Sequence, residues 1–423
     1  MNNATPSNSF IDLLAEGSFV DPDGEIVVGG CRLSDLANQY QTPLYVIDEG
    51  ALRARIRTFR TALAREWGEG MIHFASKAFP STCMYRVMAE EGIGVDVAGG
   101  GELVMALAGG VKPQNIVVHG NAKTEQELKM ALDAAVGTIV IDNFNDIERL
   151  EGLATRDQDV LVRIIPDVNP STHDALATGT DHSKFGLHAP DARRAFDLIR
   201  QSHYLKLRGV HVHIGSQINE IAPFEDAIKA VAALGDFEVY DLGGGLGERY
   251  TYSDTPPTPQ AWVAALASAA RRHLPSSARL LLEPGRSIVA RAGLTLYHVV
   301  TVKSGDPAFV AVDGGMGDNL EVSLYGQRFE AEVVNRLGHG TPVDLVGRHC
   351  ESGDRLVADA LLVEPRLGDV VAVAVTGAYC FTMSNNYNGA LRPAVVFCRD
   401  GESSLQVRRE NYDDLTRRDV FEN

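Results

Sequence analysis

Cysteine is scarce in this chain of 423 residues. Its five cysteines are scattered, and no two of them form a CxxC pair. Disulfide frameworks and structural zinc sites both need cysteines at close, regular spacing. The sequence therefore predicts a protein of a reducing compartment that has neither a disulfide framework nor a metal site.

The chain also lacks long apolar runs and any excess of positive charge. No apolar stretch reaches the length of a membrane-spanning helix, and the opening residues MNNATPSNSF are too polar for the core of a signal peptide. The formal net charge is −17, which argues against binding to nucleic acid or to an anionic membrane. We therefore expect a cytoplasmic protein with neither kind of partner. An anionic cofactor is still compatible with this charge, because local groups decide its binding.

Short apolar runs alternate with helical patterns from about residue 44 to residue 286. Continuous apolar runs indicate strands buried on both faces, and repeated strand–helix units indicate a parallel sheet. The runs begin at Leu44, Met71, Gly94, Asn115, Thr138, Val160, Gly209, Phe237 and Arg279. About eight such units favour a closed (β/α)8 barrel of the TIM type over an open sheet.

A β-rich region follows this alternation. Segments such as LTLYHVVTVKSG and DVVAVAVTG carry few helical patterns, which predicts a β-sandwich or β-barrel domain. The short run GEIVVGG near the N-terminus fits the same domain. We therefore predict an N-terminal segment (1–43) that joins the β-domain, a barrel (44–286) and a C-terminal β-domain (287–423).

Lys77 stands where the predicted strand MIHFAS ends. A lysine at the mouth of a parallel sheet can be desolvated, which lowers its pKa and makes its amine a nucleophile that forms Schiff bases with aldehydes. Taken alone, the pattern is more typical of a lysine whose stem lies along an apolar surface. The motifs that follow it in the chain favour the first interpretation.

Three further motifs end predicted barrel strands. In HVHIGSQ, His213 suits stacking on an aromatic ring and Ser216 suits a phosphate, although a core histidine explains the motif about as well. The glycines of DLGGGLG (residues 241–247) let backbone N–H groups approach an anion, although a plain turn is their commoner role. In EPGR, Glu283 can hold a pyridine nitrogen protonated, and Arg286 can bind a phosphate or carboxylate. A structural Glu–Arg pair is the alternative.

Two motifs lie in the predicted β-domain. HCESGD places Cys350 beside a carboxylate in a turn, which suits proton delivery, whereas a lone cysteine is more often a buried structural thiol. GAYCFTMSNNYN is a small polar segment between two strands. From it Tyr387 and Asn388 can reach a ligand, or it forms a plain loop.

The order of these motifs resembles the alanine-racemase-fold (fold-type III) PLP-dependent amino-acid decarboxylases, and their diaminopimelate decarboxylase branch most closely. The resemblance extends from about Thr42 to Ala394. It rests on ASKA, GVDVAGGGEL, DHSKFGL, HIGSQ, DLGGGLG, EPGR, VDGGM, CESGD and MSNNYN in that order. It implies a PLP-dependent carboxy-lyase of lysine biosynthesis that converts meso-diaminopimelate to L-lysine, as a homodimer with shared active sites.

The resemblance also implies roles for individual residues. Lys77 would hold PLP as a Schiff base, His213 would stack on its ring, and Glu283 would pair with its pyridine nitrogen. Cys350 would be the catalytic acid and, with Glu351, would come from the partner subunit. The other implied cofactor-binding residues are Asp96, Arg163, Ser216, Gly244, Gly245, Gly285, Arg286 and Tyr387, and the implied substrate-binding residues are Arg286, Glu321, Tyr325, Glu351 and Tyr387.

One position departs from the family pattern. Glu321 stands where the family has an arginine that binds the distal carboxylate of the substrate, while Tyr325 is retained. An acidic group there repels a carboxylate. Glu321 therefore favours, as an alternative substrate, a basic D-amino acid such as D-lysine or D-ornithine, or an amino-acid conjugate in siderophore or specialised-metabolite biosynthesis. Arg348 supplies a nearby positive charge that acts in the opposite sense.

Two other classes of protein share this barrel. One is a PLP-dependent amino-acid racemase, against which the CESGD and SKFG motifs argue. The other is a non-catalytic PLP-binding protein, which is usually a bare barrel. The β-domain with Cys350 disfavours the latter.

Overall fold

The protein is described by a computed structural model that covers residues 9–168, 179 and 183–420. Its contacts divide the chain into two compact units. The barrel unit comprises the described residues of Arg55–Glu248 and Thr255–Ile288, and the β-unit those of Met1–Ala54, Arg249–Asp254 and Val289–Asn423. None of the helices in these described ranges is long and apolar enough to cross a membrane.

The β-unit begins with a small antiparallel sheet. Its strands are β1 (Phe19–Val20), β2 (Ile26–Val28) and β3 (Cys31–Arg32). Helix α1 (Leu33–Tyr40) and strand β4 (Leu44–Asp48) follow, and every residue of β4 is buried. The N-terminal segment thus contributes strands to the β-unit.

Eight parallel strands of the barrel unit close into a barrel. They are β5 (Gly70–Ala75), β6 (Gly94–Val97), β7 (Ile116–Val118), β8 (Thr138–Ile141), β9 (Gln158–Ile164), β10 (Leu205–Val212), β11 (Val239–Asp241) and β12 (Arg279–Leu282). Neighbours in the chain are neighbours in the barrel, and the pairing of β12 with β5 closes it. The predicted (β/α)8 barrel is confirmed.

Helices separate the barrel strands, and several begin at residues that favour helix starts. Thr124 and Glu127 form a capping box at the helix that begins at Glu125. The side chains of Asn143 and Thr258 accept backbone N–H groups at the starts of two other helices, which begin at Phe144 and Pro259. The helices of this part of the chain are α2 (Glu49–Glu66), α3 (Thr82–Glu90), α4 (Gly100–Ala108), α5 (Glu125–Ala134), α6 (Phe144–Leu153), α7 (Ala189–Gln201), α8 (Ala222–Ala232), α9 (Pro259–His273) and α10 (Arg286–Val289). Because all eight strands are parallel, their C-terminal ends lie at one end of the barrel, where barrel enzymes carry their chemistry.

The rest of the β-unit is a mixed sheet of nine strands among the described residues, β4 included. Its other strands are β13 (Gly293–Lys303), β14 (Phe309–Val312), β15 (Ala331–Val333), β16 (Val343–Val346), β17 (Arg355–Ala360), β18 (Val370–Val373), β19 (Ala394–Arg399) and β20 (Glu402–Val407). Short helices α11 (Glu321–Tyr325), α12 (Cys380–Met383) and α13 (Tyr412–Thr416) accompany them. The predicted C-terminal β-rich domain is confirmed.

Strand β4 lies outside the barrel, although the sequence analysis placed its run LYVID at the start of that domain. It pairs antiparallel with β13 and parallel with β19 in the β-unit. The eight later apolar runs supply the barrel. A continuous apolar run indicates a strand buried on both faces, but its pattern does not say in which sheet that strand lies.

Gly209 of β10 provides a test of how closely the barrel strands are packed. A Cβ at this position would lie 1.7 Å from the carbonyl oxygen of Val239 on β11. We expect Gly209→Ala to lower the free energy of unfolding by about 3 kcal/mol, because the strands must separate to admit the methyl group. Urea unfolding followed by circular dichroism measures this change.

The matched control is Gly152→Ala in α6, where a Cβ meets nothing within 4 Å. We expect this variant to gain about 0.5 kcal/mol, because alanine favours the helix. Equal stabilities for the two variants would contradict the close packing of β10 against β11.

Candidate active site

Lys77 follows β5 directly, in a single 3-10 turn (Ser76–Ala78). The backbone N–H of Ser76 donates to Oδ1 of Asp96, at the end of β6, at 3.0 Å. This bond joins the lysine turn to the neighbouring strand. The side chain of Lys77 is exposed in the single chain. This chain by itself therefore does not remove its amine from water.

Glu283, directly after β12, lies between two histidines. Its Oε1 is 2.7 Å from Nε2 of His119, and its Oε2 is 3.2 Å from Nε2 of His211. All three residues are buried. Burial alone would raise the pKa of Glu283, but the two imidazoles outweigh it and hold that pKa well below its ordinary value. Glu283 is therefore an ionised carboxylate at the C-terminal end of the strands.

Two further carboxyl groups lie close to Glu283. Asp241 ends β11, and its Oδ1 accepts the backbone N–H of Gly243 at 3.0 Å. Burial, together with the charge of Glu283, raises the pKa of Asp241 well above its ordinary value. The same two causes raise the pKa of Asp96 to about 7. The negative charge of this group of carboxyls is thus concentrated on Glu283.

His213 follows β10 and contacts the glycine turn after β11. Its Nδ1 accepts the backbone N–H of Gly244 at 3.3 Å. Burial, and then the positive charges of Lys77 and Arg163, lower the pKa of His213 well below its ordinary value. The imidazole is therefore neutral, as suits a ring that stacks on an aromatic cofactor.

The glycine turn requires glycine for two reasons. A Cβ on Gly244 would lie 2.1 Å from the carbonyl oxygen of Glu283, and one on Gly245 would lie 2.5 Å from that of Gly215. Gly245 also has a φ of +108°, a conformation that L side chains rarely adopt. Backbone therefore packs against backbone here, and an anion can approach it closely. A Cβ on Gly285 would likewise meet that of Ala75 at 2.7 Å.

Two buried arginines belong to the same end of the barrel. Arg286 begins α10, and its Nε donates to Oγ of Ser216 at 3.2 Å. The guanidinium of Arg163, on β9, lies 4.4 Å above the ring centroid of Phe185. The first two residues of the DHSKFGL motif, Asp181 and His182, lie outside the described residues.

In the β-unit, the two predicted ligand-binding motifs lie together. The backbone N–H of Cys350 donates to Oδ1 of Asn388 at 2.9 Å, and the hydroxyl of Tyr387 donates to Oε2 of Glu351 at 3.0 Å. The ring of Tyr387 stacks on that of His349, with centroids 5.6 Å apart. Cys350 itself is exposed, so the alternative of a buried structural thiol does not hold.

Glu321 and Tyr325 begin and end helix α11 of the β-unit. Tyr325 is partly buried, whereas Glu321 is only 1% exposed. The carboxylate of Glu321 is therefore not presented at the surface of the single chain.

Comparison with known proteins identifies the family of this chain. Residues 49–290 match the model of the pyridoxal-dependent decarboxylase, pyridoxal binding domain. The chain is 44% identical to a diaminopimelate decarboxylase of Actinosynnema pretiosum subsp. auranticum, over 94% of this chain and 93% of that relative. For the Bacillus subtilis (strain 168) enzyme of the same name, the identity is 42% over 94% and 95%.

This chain belongs to the pyridoxal-dependent decarboxylases, among the diaminopimelate decarboxylases. A solved structure of the diaminopimelate decarboxylase from M. jannaschii, in complex with L-lysine, is similar along 96% of this chain and 98% of that one, with a TM-score of 0.90 and 31% identity. The resemblance that the motifs indicated is confirmed. The decarboxylase is therefore a PLP-dependent carboxy-lyase, and pyridoxal 5'-phosphate is its cofactor.

The residues of the barrel unit fit this cofactor. Lys77 offers an amine, Glu283 an ionised carboxylate for a pyridinium, and His213 a neutral ring. The turn at Gly244 and Gly245 is a backbone cradle that any side chain would fill. These are the groups that an aldehyde with an aromatic ring and a phosphate requires.

The structure adds His119, His211 and Asp241 to the residues of the site that the sequence predicted. Each is a polar residue in or directly after an apolar run, in NIVVHG, GVHVHIG and FEVYDLGGG. In GVHVHIG, only His213 was predicted. Only the pairing of the strands around the barrel brings His119 and His211 to the same carboxylate.

The raised pKa of Asp96 predicts a pH-dependent stability for the PLP-free enzyme. A carboxyl group with a pKa of about 7 in the folded protein, and about 4 when unfolded, binds its proton more tightly in the folded state. Its contribution is complete below the unfolded value and is lost as the pH rises through 7. Between pH 5 and pH 8 we expect the wild type to lose on the order of 2 kcal/mol more stability than Asp96→Asn.

Urea unfolding at the two pH values measures this difference. Asp96→Asn retains the oxygen that accepts the N–H of Ser76, so it removes the titration and keeps that bond. Asp133→Asn, at an exposed position on α5, is the control and should follow the wild type. Parallel losses in the wild type and Asp96→Asn would contradict the raised pKa.

Proposed function

We propose that this decarboxylase converts meso-diaminopimelate to L-lysine and CO2, as a cytoplasmic enzyme of lysine biosynthesis. The observation that carries the reaction class is the ionised Glu283, held between two buried imidazoles at the end of the barrel that bears Lys77. The substrate is supported by the names of relatives that match almost the whole chain, and by the L-lysine in a similar solved structure. These relatives do not favour a racemase or a non-catalytic protein.

When bound, PLP supplies an electron sink for the pair released as the α-carboxylate leaves. Lys77 supplies the amine that holds the cofactor. Glu283 keeps a proton on the pyridine nitrogen, and the neutral ring of His213 covers the face of the pyridine.

Ser216 and the backbone of Gly244 and Gly245 would hold the phosphate at this end of the barrel, with the charge of Arg286 close by. The bond from Arg286 to Ser216 supports this position, because it orients the hydroxyl of Ser216 beside a cation. Gly285, Arg163 and Asp96 complete the surroundings of the ring. Tyr387, whose hydroxyl bonds to Glu351, would flank the phosphate of a second copy of the chain, together with Cys350.

Cys350 returns a proton to the α-carbon. Its exposure supports this role, because a thiol buried in its own chain is not available to a substrate. The contacts of Asn388 with Cys350 and of Tyr387 with Glu351 hold the two residues in a defined turn. We propose that the enzyme is a homodimer in which this turn of each protomer completes the active site of the other.

The burial of Glu321 weakens the objection to a substrate with a distal carboxylate. A carboxylate that is 1% exposed is separated from a surface ligand by the atoms that cover it. The exposed Arg348 is the cation we propose for the distal carboxylate, with Tyr325 as a neutral partner.

The substrate test is CO2 release by the PLP-loaded enzyme. We expect turnover of meso-diaminopimelate to L-lysine, and little release from D-lysine, D-ornithine or their L-forms. Lys77→Ala should lose turnover together with the visible absorbance of lysine-bound PLP, while Lys129→Ala, on the exposed face of α5, should retain both.

Two outcomes would contradict this proposal. Turnover of a basic amino acid in place of meso-diaminopimelate would make Glu321 the residue that selects the substrate. Undiminished CO2 release by Lys77→Ala would remove that lysine from its role.

The shared active site predicts complementation between two defective variants. Lys77→Ala and Cys350→Ala should each have little activity alone. After unfolding and refolding together in equal amounts, they should regain about a quarter of the wild-type activity, because half of the dimers are mixed and each of these has one intact site. Each variant refolded alone is the control. A mixture that stays inactive would place both residues of a site in the same protomer.

A further inference from the structure

We propose that His119 and His211 are positioning residues. They keep the negative charge of a cluster of buried carboxyl groups on Glu283, and they orient that carboxylate toward the pyridine nitrogen of PLP. This inference rests on the proposed role of Glu283 and adds two residues to it. Neither histidine contacts the cofactor in the proposed arrangement, so each acts through Glu283.

The contacts of Glu283 with the two imidazoles support this role. Each oxygen of Glu283 meets a different imidazole, at 2.7 Å for His119 and 3.2 Å for His211. Both contacts use Nε2, and an ionised carboxylate only accepts hydrogen bonds, so both rings carry their proton on Nε2. The rings meet edge to face, with centroids 4.7 Å apart. Each ring therefore limits the movement of the other, and the pair fixes the plane of the carboxylate.

The backbone of the barrel holds both histidines and Glu283 in place. His211 belongs to β10, and His119 follows β7, where its backbone N–H donates to the carbonyl of Val97 on β6 at 2.7 Å. Both histidines are therefore fixed through their backbone to the barrel strands. Glu283 is attached in the same way after β12, since its N–H donates to the carbonyl of Gly243 at 2.8 Å.

The neighbouring carboxyl groups compete with Glu283 for the negative charge. Single side-chain ligand atoms of His119, His211, Asp241 and Glu283 all lie within 4.8 Å of one another. Carboxylates this close in a buried site do not all ionise, because like charges repel strongly where water is excluded. The charge must rest on one of them, and only Glu283 receives an imidazole on each oxygen. Asp241 receives a backbone N–H on its Oδ1 instead.

The charged and titratable surroundings agree with this assignment. The groups that act electrostatically on Glu283, or are acted on by it, come from strands around the barrel: His73, Asp96, His119, Arg163, His211, His213 and Asp241. Burial lowers the pKa of His211 to about 3 and that of His73 to about 4. His211 is therefore a neutral donor, which orients the carboxylate without cancelling its charge. Glu283 therefore keeps its negative charge, which would pair with the protonated pyridine nitrogen of PLP.

The test replaces each histidine by one of two amides. Glutamine places its N–H donor about where Nε2 of histidine lies, whereas asparagine has the same chemistry and is one methylene too short to reach Glu283. The four single variants, His119→Gln, His119→Asn, His211→Gln and His211→Asn, are loaded with PLP that carries 15N in its ring. The nitrogen chemical shift, followed as a function of pH, reports whether the pyridine nitrogen is protonated.

We expect each asparagine variant to lose the pyridine proton at a pH about one unit lower than the wild type. A carboxylate held on one oxygen only is no longer fixed toward the nitrogen, and it shares its negative charge with the neighbouring acids. Each glutamine variant should follow the wild type. Asparagine variants that titrate like the wild type would overturn the inference. So would glutamine variants that lose the proton as early as the asparagine ones.

A second measurement is made on the wild type. In enzyme labelled with 15N-histidine, the rings of His119 and His211 should both carry their proton on Nε2. Their signals are assigned by their loss in whichever of the glutamine and asparagine variants fold. A ring with its proton on Nδ1 instead would overturn the inference.

Glu283→Gln separates this inference from the proposal on which it rests. If the pyridine nitrogen of that variant is protonated as in the wild type, Glu283 is not its partner, and both fail. If Glu283→Gln loses the proton while the asparagine variants keep it, only the role of the two histidines fails.

Discussion

A buried negative charge at the end of the barrel is the constraint on which the rest of the site depends. An ionised carboxylate is costly to bury unless donors surround it. Glu283 meets that requirement with one imidazole on each oxygen. Burial, together with the charge held on Glu283, raises the pKa of the neighbouring Asp241 and Asp96. The site therefore carries one localised anion instead of several that repel one another.

Close backbone packing is the second condition for this site. The carbonyl oxygen of Glu283 lies where a Cβ on Gly244 would be, and Gly243 accepts the N–H of Glu283. The turn that suits a phosphate and the strand end that bears the carboxylate are therefore adjacent parts of the same backbone. A side chain on the turn would displace the acid as well as fill the cradle. This coupling explains why position 244 holds a glycine.

The β-unit holds the turn around Cys350 through polar contacts. Asn388 accepts the N–H of Cys350, and Tyr387 reaches Glu351 while its ring rests on His349. A segment distant in sequence thus holds the backbone of the turn, while the thiol of Cys350 is exposed. This combination suits a group that must reach a substrate and yet arrive in a fixed orientation.

The sequence by itself determined the class of fold and of chemistry, through apolar runs that repeat with helices and through motifs that end those runs. Lys77, His213 and Glu283 could each be named because a reactive residue directly follows a buried strand. The sequence did not determine that β4 belongs to the β-unit, since one apolar run can enter any sheet, nor that Glu321 is buried. Only the tertiary structure decided that His119 and His211 meet the same carboxylate, because residues far apart in sequence become neighbours only when the barrel closes.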